Sequence, residues 1–317
     1  MDGEKAIRIN QKLSRELGPI VGAALVEDGV VEIALNPDGK VWVEKLGAGF
    51  EMRGVMEAPA AEALMNTIAT CLHTTVTREN PILEGELPLD GSRFEGLLPP
   101  IVARPTFTIR RKASRVFTLA DYVTQGVITP DQHALLLAAV DKRENILIGG
   151  GTGSGKTTFT NAIIHSIAER TPEHRIIIIE DTSEIQCAAP NVATLHTSDT
   201  VDMLRLLRAT MRLKPDRIVV GETRGAEALS LLKAWNTGHP GGVATVHANN
   251  GVGALIRMEQ LIAEASPTPM PHLIAQAVNL VAMIGRCPGG RRLTEILRVT
   301  DYDHQTHRYV YETISHV

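Results

Sequence analysis

The segment that most restricts how this chain can fold is Gly150-Gly151-Thr152-Gly153-Ser154-Gly155-Lys156-Thr157. It fits G-x-x-x-x-G-K-[ST], and it follows an apolar run ending at Ile148 and precedes a helical stretch carrying Ile163, Ile164 and Ile167. Glycines let the backbone curl until successive N–H groups point inward, and the first turn of the helix adds unpaired donors and a favourable dipole. The product is a phosphate cradle running from Gly150 to Thr158. Lys156 is predicted to reach the β and γ phosphates of ATP, and the Thr157 hydroxyl to ligate Mg2+.

A strand feeding a helix through such a loop predicts an α/β fold with a parallel sheet, and the rest of the chain agrees. Short β-branched runs at 145–148, 175–179, 217–220 and 243–246 alternate with helical stretches, the signature of βαβ units. A helix is predicted over 131–140, and two strands at 293–300 and 309–314 flank a polar turn at Asp303-His304 as a closing hairpin. The earlier residues have a different pattern. Residues 29–34 alternate like a strand, Asn36-Pro37-Asp38-Gly39 is a turn, 41–43 return, 58–72 have Leu64, Ile68 and Leu72 at helical spacing, and 106–111 read as a strand. The expected organisation is a small α+β domain over 1–111, a linker over 112–130 and the nucleotide-binding domain over 131–317.

Composition removes several function classes. Aromatics are 3%, which argues against stacking of single-stranded bases, and a net charge of −4 disfavours whole-surface DNA binding. Direct nucleic-acid binding is left open as a local patch. Cys71, Cys187 and Cys287 are far apart with no C-x-x-C pair, so no structural zinc is expected and the thiols read as reduced and cytosolic. The acidic start of the chain is not a signal sequence, and no apolar run approaches the ~20 residues of a membrane span. Membrane association is therefore expected to be peripheral, through protein partners.

Hydrolysis needs a metal and a group that positions water, and in open parallel sheets these sit at the carboxyl ends of strands. The run 176–179 ends in Glu180-Asp181, with Glu184 beyond, and 217–220 ends in Gly221-Glu222. Glu222 is assigned to magnesium through water or to orienting the nucleophilic water, with Gly221 allowing close approach of a ligand. Glu180, Asp181 and Glu184 form a second acidic cluster whose division of roles stays open, Glu180 and Asp181 being counted with Thr157 and Glu222 as metal candidates. His247 follows 243–246, placed to sense the γ-phosphate, although a lone histidine is more often a structural hydrogen-bonder; His196 and His239 are weaker candidates. Arg205, Arg208 and Arg212 recur at helical spacing, either as a solvated basic face or as a subunit or phosphate contact. Arg93 and the Arg110-Arg111 pair lie in the first domain, from which an arginine would act only on closure of domains or subunits.

Taken together these residues resemble the traffic ATPases of type IV secretion. The resemblance rests on the segment 149–158, on Ile179-Glu180-Asp181-Thr182-Ser183-Glu184, which looks like the family's Asp box, and on 211–224 ending in Gly221-Glu222-Thr223-Arg224, similar to its Walker B segment. Gly238-His239-Pro240-Gly241-Gly242 and Thr245-Val246-His247-Ala248 look like its His box. More loosely, Gly91-Ser92-Arg93-Phe94 and Thr108-Ile109-Arg110-Arg111 resemble its first domain, where the matching arginines, here Arg93 and Arg110, reach toward phosphate. The resemblance implies a RecA-like P-loop domain, a hexameric homo-oligomer at the cytoplasmic face of the inner membrane, inner-membrane secretion components as partners, and Lys156, Glu184, Glu222 and His247 in catalysis. Sibling motors of type II secretion and pilus assembly share these motifs, but the chain lacks a four-cysteine zinc insertion and a long extra domain. A RecA-like nucleic-acid motor is opposed by the acidic charge and the scarce aromatics.

Overall fold

The computed structural model describes residues 3–45, 47–112, 116–198 and 200–316, and the chain divides into two compact units, Met1–Ser114 and Arg115–Val317. In the first, helices α1 (Gly3–Glu16) and α2 (Gly18–Val26) precede β1 (Val30–Leu35), β2 (Lys40–Lys45), β3 (Phe50–Val55), helix α3 (Ala58–Cys71), β4 (Ile82–Glu86), β5 (Arg93–Leu97) and β6 (Thr106–Arg110). The strands form one antiparallel sheet in the order β3-β2-β1-β6-β5-β4. The alternation expected at 29–34 is β1, whose Val30, Ile33 and Leu35 are buried, and α3 buries Leu64 and Ile68 against the same core. The turn between β1 and β2 is closed by Gly39 N–H donating to Asn36 O at 2.9 Å. Helices α1 and α2 and strands β3, β4 and β5 were not anticipated from the sequence.

The second unit runs α4 (Leu119–Thr124), α5 (Pro130–Asp141), β7 (Ile146–Gly150), α6 (Lys156–Arg170), β8 (Ile176–Glu180), β9 (Val192–His196), α7 (Met203–Thr210), β10 (Arg217–Val220), α8 (Glu227–Asn236), β11 (Val243–His247), α9 (Gly251–Ala263), α10 (Pro271–Ala277), β12 (Leu280–Cys287), β13 (Gly290–Asp303) and β14 (Arg308–His316). The sheet order is β14-β13-β12-β7-β11-β10-β8-β9. Strands β12 to β9 along that order are parallel, and β13 and β14 extend the sheet antiparallel. The central strands are mostly apolar and buried along their length because both faces are covered, with Arg217 and Thr245 as buried polar exceptions. Ile146, Ile148, Ile176 and Ile178 face a core with Phe159 and Ile163 of α6, whereas Leu147, Ile177, Ile179 and Val220 face a core with α8 and α9. This is the expected α/β architecture of a parallel sheet preceded by a small α+β domain.

One expectation is corrected. Much of the segment 112–130 is not a linker: Thr118 and Thr129 close capping boxes with Asp121 and Gln132, and Leu119, Tyr122 and Ile128 are buried in the core with Phe159. Residues 113–115 lie outside the described residues. The expected closing hairpin is β13–β14, paired antiparallel, and β12 extends it to a meander by pairing with β13 and, in parallel, with β7. Among the described residues no helix is long and apolar enough to cross a membrane.

Candidate nucleotide site

The register of the parallel sheet assembles the site. β11 pairs with β7 so that His247 stands opposite Gly150, β10 pairs with β8 so that Val220 stands opposite Ile179, and β8 pairs with β9 so that Glu180 stands opposite His196. Residues separated by about a hundred positions in the sequence therefore leave the sheet at one edge. The phosphate loop follows β7 directly. Gly153 and Gly155 hold φ of 66° and 100°, and Gly155, left-handed, forms the N-cap of α6. Lys156, 8% exposed, folds back over the loop, donating to Gly150 O and Gly151 O at 3.0 Å each.

From Lys156 a polar chain runs across the strand ends. Its Nζ lies 3.4 Å from His247 Nδ1, and His247 Nε2 lies 2.9 Å from Glu222 Oε1. An ammonium has no lone pair, so Nδ1 accepts and the imidazole is the neutral Nε2–H tautomer donating to Glu222. Arg224 Nη2 donates to Glu222 Oε2 at 2.7 Å and its Nη1 to Asp181 Oδ2 at 3.1 Å, and Thr197 Oγ1 donates to Asp181 Oδ1 at 3.1 Å. Charge follows the same line. Burial opposes ionisation of Glu222, but the hydrogen bond and charge of Arg224, with His247 and Lys156, hold its carboxyl below the ordinary carboxylate value. Burial, then the Lys156 charge, lowers the His247 pKa, and burial lowers that of Lys156.

The acidic cluster divides by partner. Thr157 Oγ1 donates to Glu184 Oε2 at 3.0 Å, so the carboxylate at the start of α6 is Glu184. Asn161, buried on α6, holds that loop by accepting from Gln186 N–H and donating to Glu184 O. Glu180, 3% exposed, takes the backbone N–H groups of Glu184 and Ile185 at 3.0 and 2.9 Å, shaping the turn that presents Glu184. Among the described residues Glu180, Asp181 and Glu222 do not converge as a three-acid metal group. A hydroxyl and one carboxylate are nonetheless the hard oxygen donors suited to Mg2+, which keeps several waters and takes only one or two protein ligands beside substrate phosphates.

Other expected residues have partners of their own. Gly221 packs against Glu180, whose Cβ would lie 3.0 Å from an added Cβ there. His196 meets Ser183 Oγ at 3.2 Å. Arg205 and Arg208 are exposed on α7, and Arg212 falls beyond that helix, so the basic helical face holds two arginines and not three. In the first unit Arg93 and Arg110 are directly opposite across β5 and β6, and Arg110 Nε pairs with Glu32 at 3.3 Å, while Arg111 donates to the carbonyls of Glu27 and Val30. Sequence reasoning gave no role to Arg224 or Asn161. Arg224 had a signal, two residues past Glu222 beyond a strand end, whereas Asn161 had none.

Comparison with known proteins identifies the family. Residues 15–313 match the family described as Type II/IV secretion system protein. The chain is 56% identical over 292 residues to the "Probable conjugal transfer protein TrbB" of Sinorhizobium fredii (strain NBRC 101917 / NGR234), covering 92% of this chain and 90% of the relative. It is 53% identical over 314 residues to the "Conjugal transfer protein TrbB" of Rhizobium radiobacter, covering 98% and 97%. The crystal structure of the VirB11 ATPase from the Brucella suis type IV secretion system, in complex with sulphate, is similar with a TM-score of 0.50 and 25% identity, over 93% of this chain and 96% of that one. With a family match over residues 15–313 and two conjugal-transfer relatives more than half identical over nearly the whole chain, the chain belongs to the type II/IV secretion system protein family, among the conjugal-transfer ATPases of type IV secretion.

Proposed function

We propose that the chain hydrolyses ATP with Mg2+ at the end of β7, as a ring-forming, hexameric motor at the cytoplasmic face of the inner membrane that powers conjugative transfer. The observation that carries the reading is the continuous contact from Lys156 through His247 to Glu222 and Arg224. Lys156 has two carbonyls and the neutral His247 ring as its acceptors, and nucleotide phosphates would replace the carbonyls with charged oxygens. Glu222, held ionised and oriented on both oxygens, is suited to align and take a proton from the attacking water. Release of Lys156 toward phosphate would remove one partner of His247 and so alter the hold on Glu222, which gives the γ-phosphate a route to the water-positioning acid. Thr157 and Glu184 would hold the magnesium ion, which supplies charge neutralisation on the phosphates.

The test is Mg2+-dependent ATP hydrolysis by the full chain and by Lys156→Ala, with the assembly sized in the same samples. The expected result is turnover that rises with ring formation and is lost in the variant, while the ring persists. Turnover untouched by Lys156→Ala, or full turnover by a monomer, would overturn the reading.

A further inference from the structure

The β12–β13 hairpin brings Arg286 and Arg291 to the phosphate loop, and nothing in the hydrolysis scheme above uses them. The two residues are directly opposite in the β12–β13 register. Like charges in that position repel. Both nevertheless converge on one neutral acceptor: Arg286 Nε and Arg291 Nη2 each donate to Gly153 O at 3.3 Å. Among the described residues neither is in an ion pair with a carboxylate. The Arg291 side chain lies against Gly155, where an added Cβ would come within 2.9 Å of its Cδ and 3.2 Å of its Nε. That Nε is buried and makes no hydrogen bond. Gly153 is equally close to Arg286, an added Cβ there lying 3.0 Å from Nη2.

Two adjacent cations sharing one carbonyl, with a buried donor unused, form a site short of negative charge. The loop they touch is the one that cradles phosphate. We infer that Arg286 and Arg291 form a second cationic jaw of the nucleotide site, holding the loop at Gly153 and binding the nucleotide's phosphate charge from the side opposite the strand-end acids. The inference rests on the reading of Gly150 to Thr158 as a nucleotide site. Because the jaw acts on charge common to di- and triphosphate, it strengthens ADP and ATP binding alike. Arg292, the next residue on β13, alternates to the other face of the strand and has no part in it.

The experiment is equilibrium binding of ADP and of a non-hydrolysable ATP analogue to the full chain at several salt concentrations. Arg286→Gln with Arg291→Gln keeps an amide donor for Gly153 O but removes both charges. It is expected to weaken both nucleotides by roughly tenfold or more and to flatten the salt dependence. Arg286→Lys with Arg291→Lys is expected to recover most of the affinity, which a purely structural latch on the carbonyl would not require. Wild-type affinity in the Gln pair, Lys variants no better than Gln, or an equal loss in Arg292→Gln would each overturn the inference. Lys156→Ala is measured alongside: if it too binds normally, the nucleotide-site reading itself fails, whereas its loss beside an unaffected Gln pair removes only the arginine jaw.

Discussion

His247 joins Lys156 to Glu222: one ring nitrogen lies 3.4 Å from the ammonium and the other 2.9 Å from the carboxylate. The imidazole must be neutral to accept from one and donate to the other. Burial and the Lys156 charge lower its pKa below the ordinary 6.5, which keeps it neutral through physiological pH. Turnover is therefore expected to be flat near pH 7 and to fall only below about 6.5, when protonation places a second cation against Lys156. A pH–rate profile checks this, and His247→Asn should lack the acid limb while turning over more slowly throughout.

Glu222→Gln should separate binding from chemistry. The amide keeps the shape and one acceptor for Arg224 but cannot take a proton. Turnover is expected to fall by about a hundredfold or more, with nucleotide affinity retained. Single-turnover kinetics beside equilibrium binding measures both.

Glu184 meets the Thr157 hydroxyl at 3.0 Å, so its loss should be felt through the metal. Glu184→Gln is expected to raise the magnesium concentration for half-maximal turnover by roughly ten- to a hundredfold. A magnesium titration at saturating nucleotide reads this directly, and an unchanged midpoint would exclude Glu184 from the metal's surroundings.

At the opposite end of the same sheet Arg217 is fully buried, donating to Val140 O, Gly241 O and His174 Nδ1 at 2.9, 3.1 and 3.0 Å. Arg217→Ala strands these acceptors and should cost about 3 kcal/mol of stability, seen as a lower denaturation midpoint. Arg217→Lys should recover little, because an ammonium lacks the planar fork.

His174 gives that cluster a pH signature. Burial, then the charges of Arg217 and Arg143, lowers its pKa in the folded protein below 6.5. The unfolded chain thus binds its proton first, and the stabilisation, complete above about pH 6.5, is lost as pH falls toward the lowered folded value. Denaturation midpoints between pH 5 and 8 should show this slope, and His174→Gln, whose amide oxygen still accepts from Arg217, should flatten it.

The strands bearing the nucleotide site were legible because each is a short, mostly β-branched run ended by a glycine or a polar residue. Glycine follows Ile148, Glu180 follows Ile179, Gly221 follows Val220 and His247 follows Val246. Edge strand β9 was not legible, since Val192 to His196 are only partly buried and lack both a run and a clean alternation. Strand β12 had a signal in Leu280-Val281-Ala282-Met283-Ile284, but an apolar run of five does not by itself distinguish strand from helix. Which acid meets Thr157 depends on the turn that Glu180 caps, a tertiary contact with no counterpart in residue spacing. The arginines of β12 and β13 were passed over because their target is a backbone carbonyl.

The pairing of His247 with Gly150 and of Val220 with Ile179 has an evolutionary consequence. A one-residue slip of β11 toward the core would carry His247 into the buried position of Val246, swap its face, and take it from beside Gly150. The reactive groups and the apolar interior are therefore inherited as one unit. Substitutions in the outlying helices and loops leave the alignment of the four strand ends intact, whereas any that shift a strand's register displace core and site together.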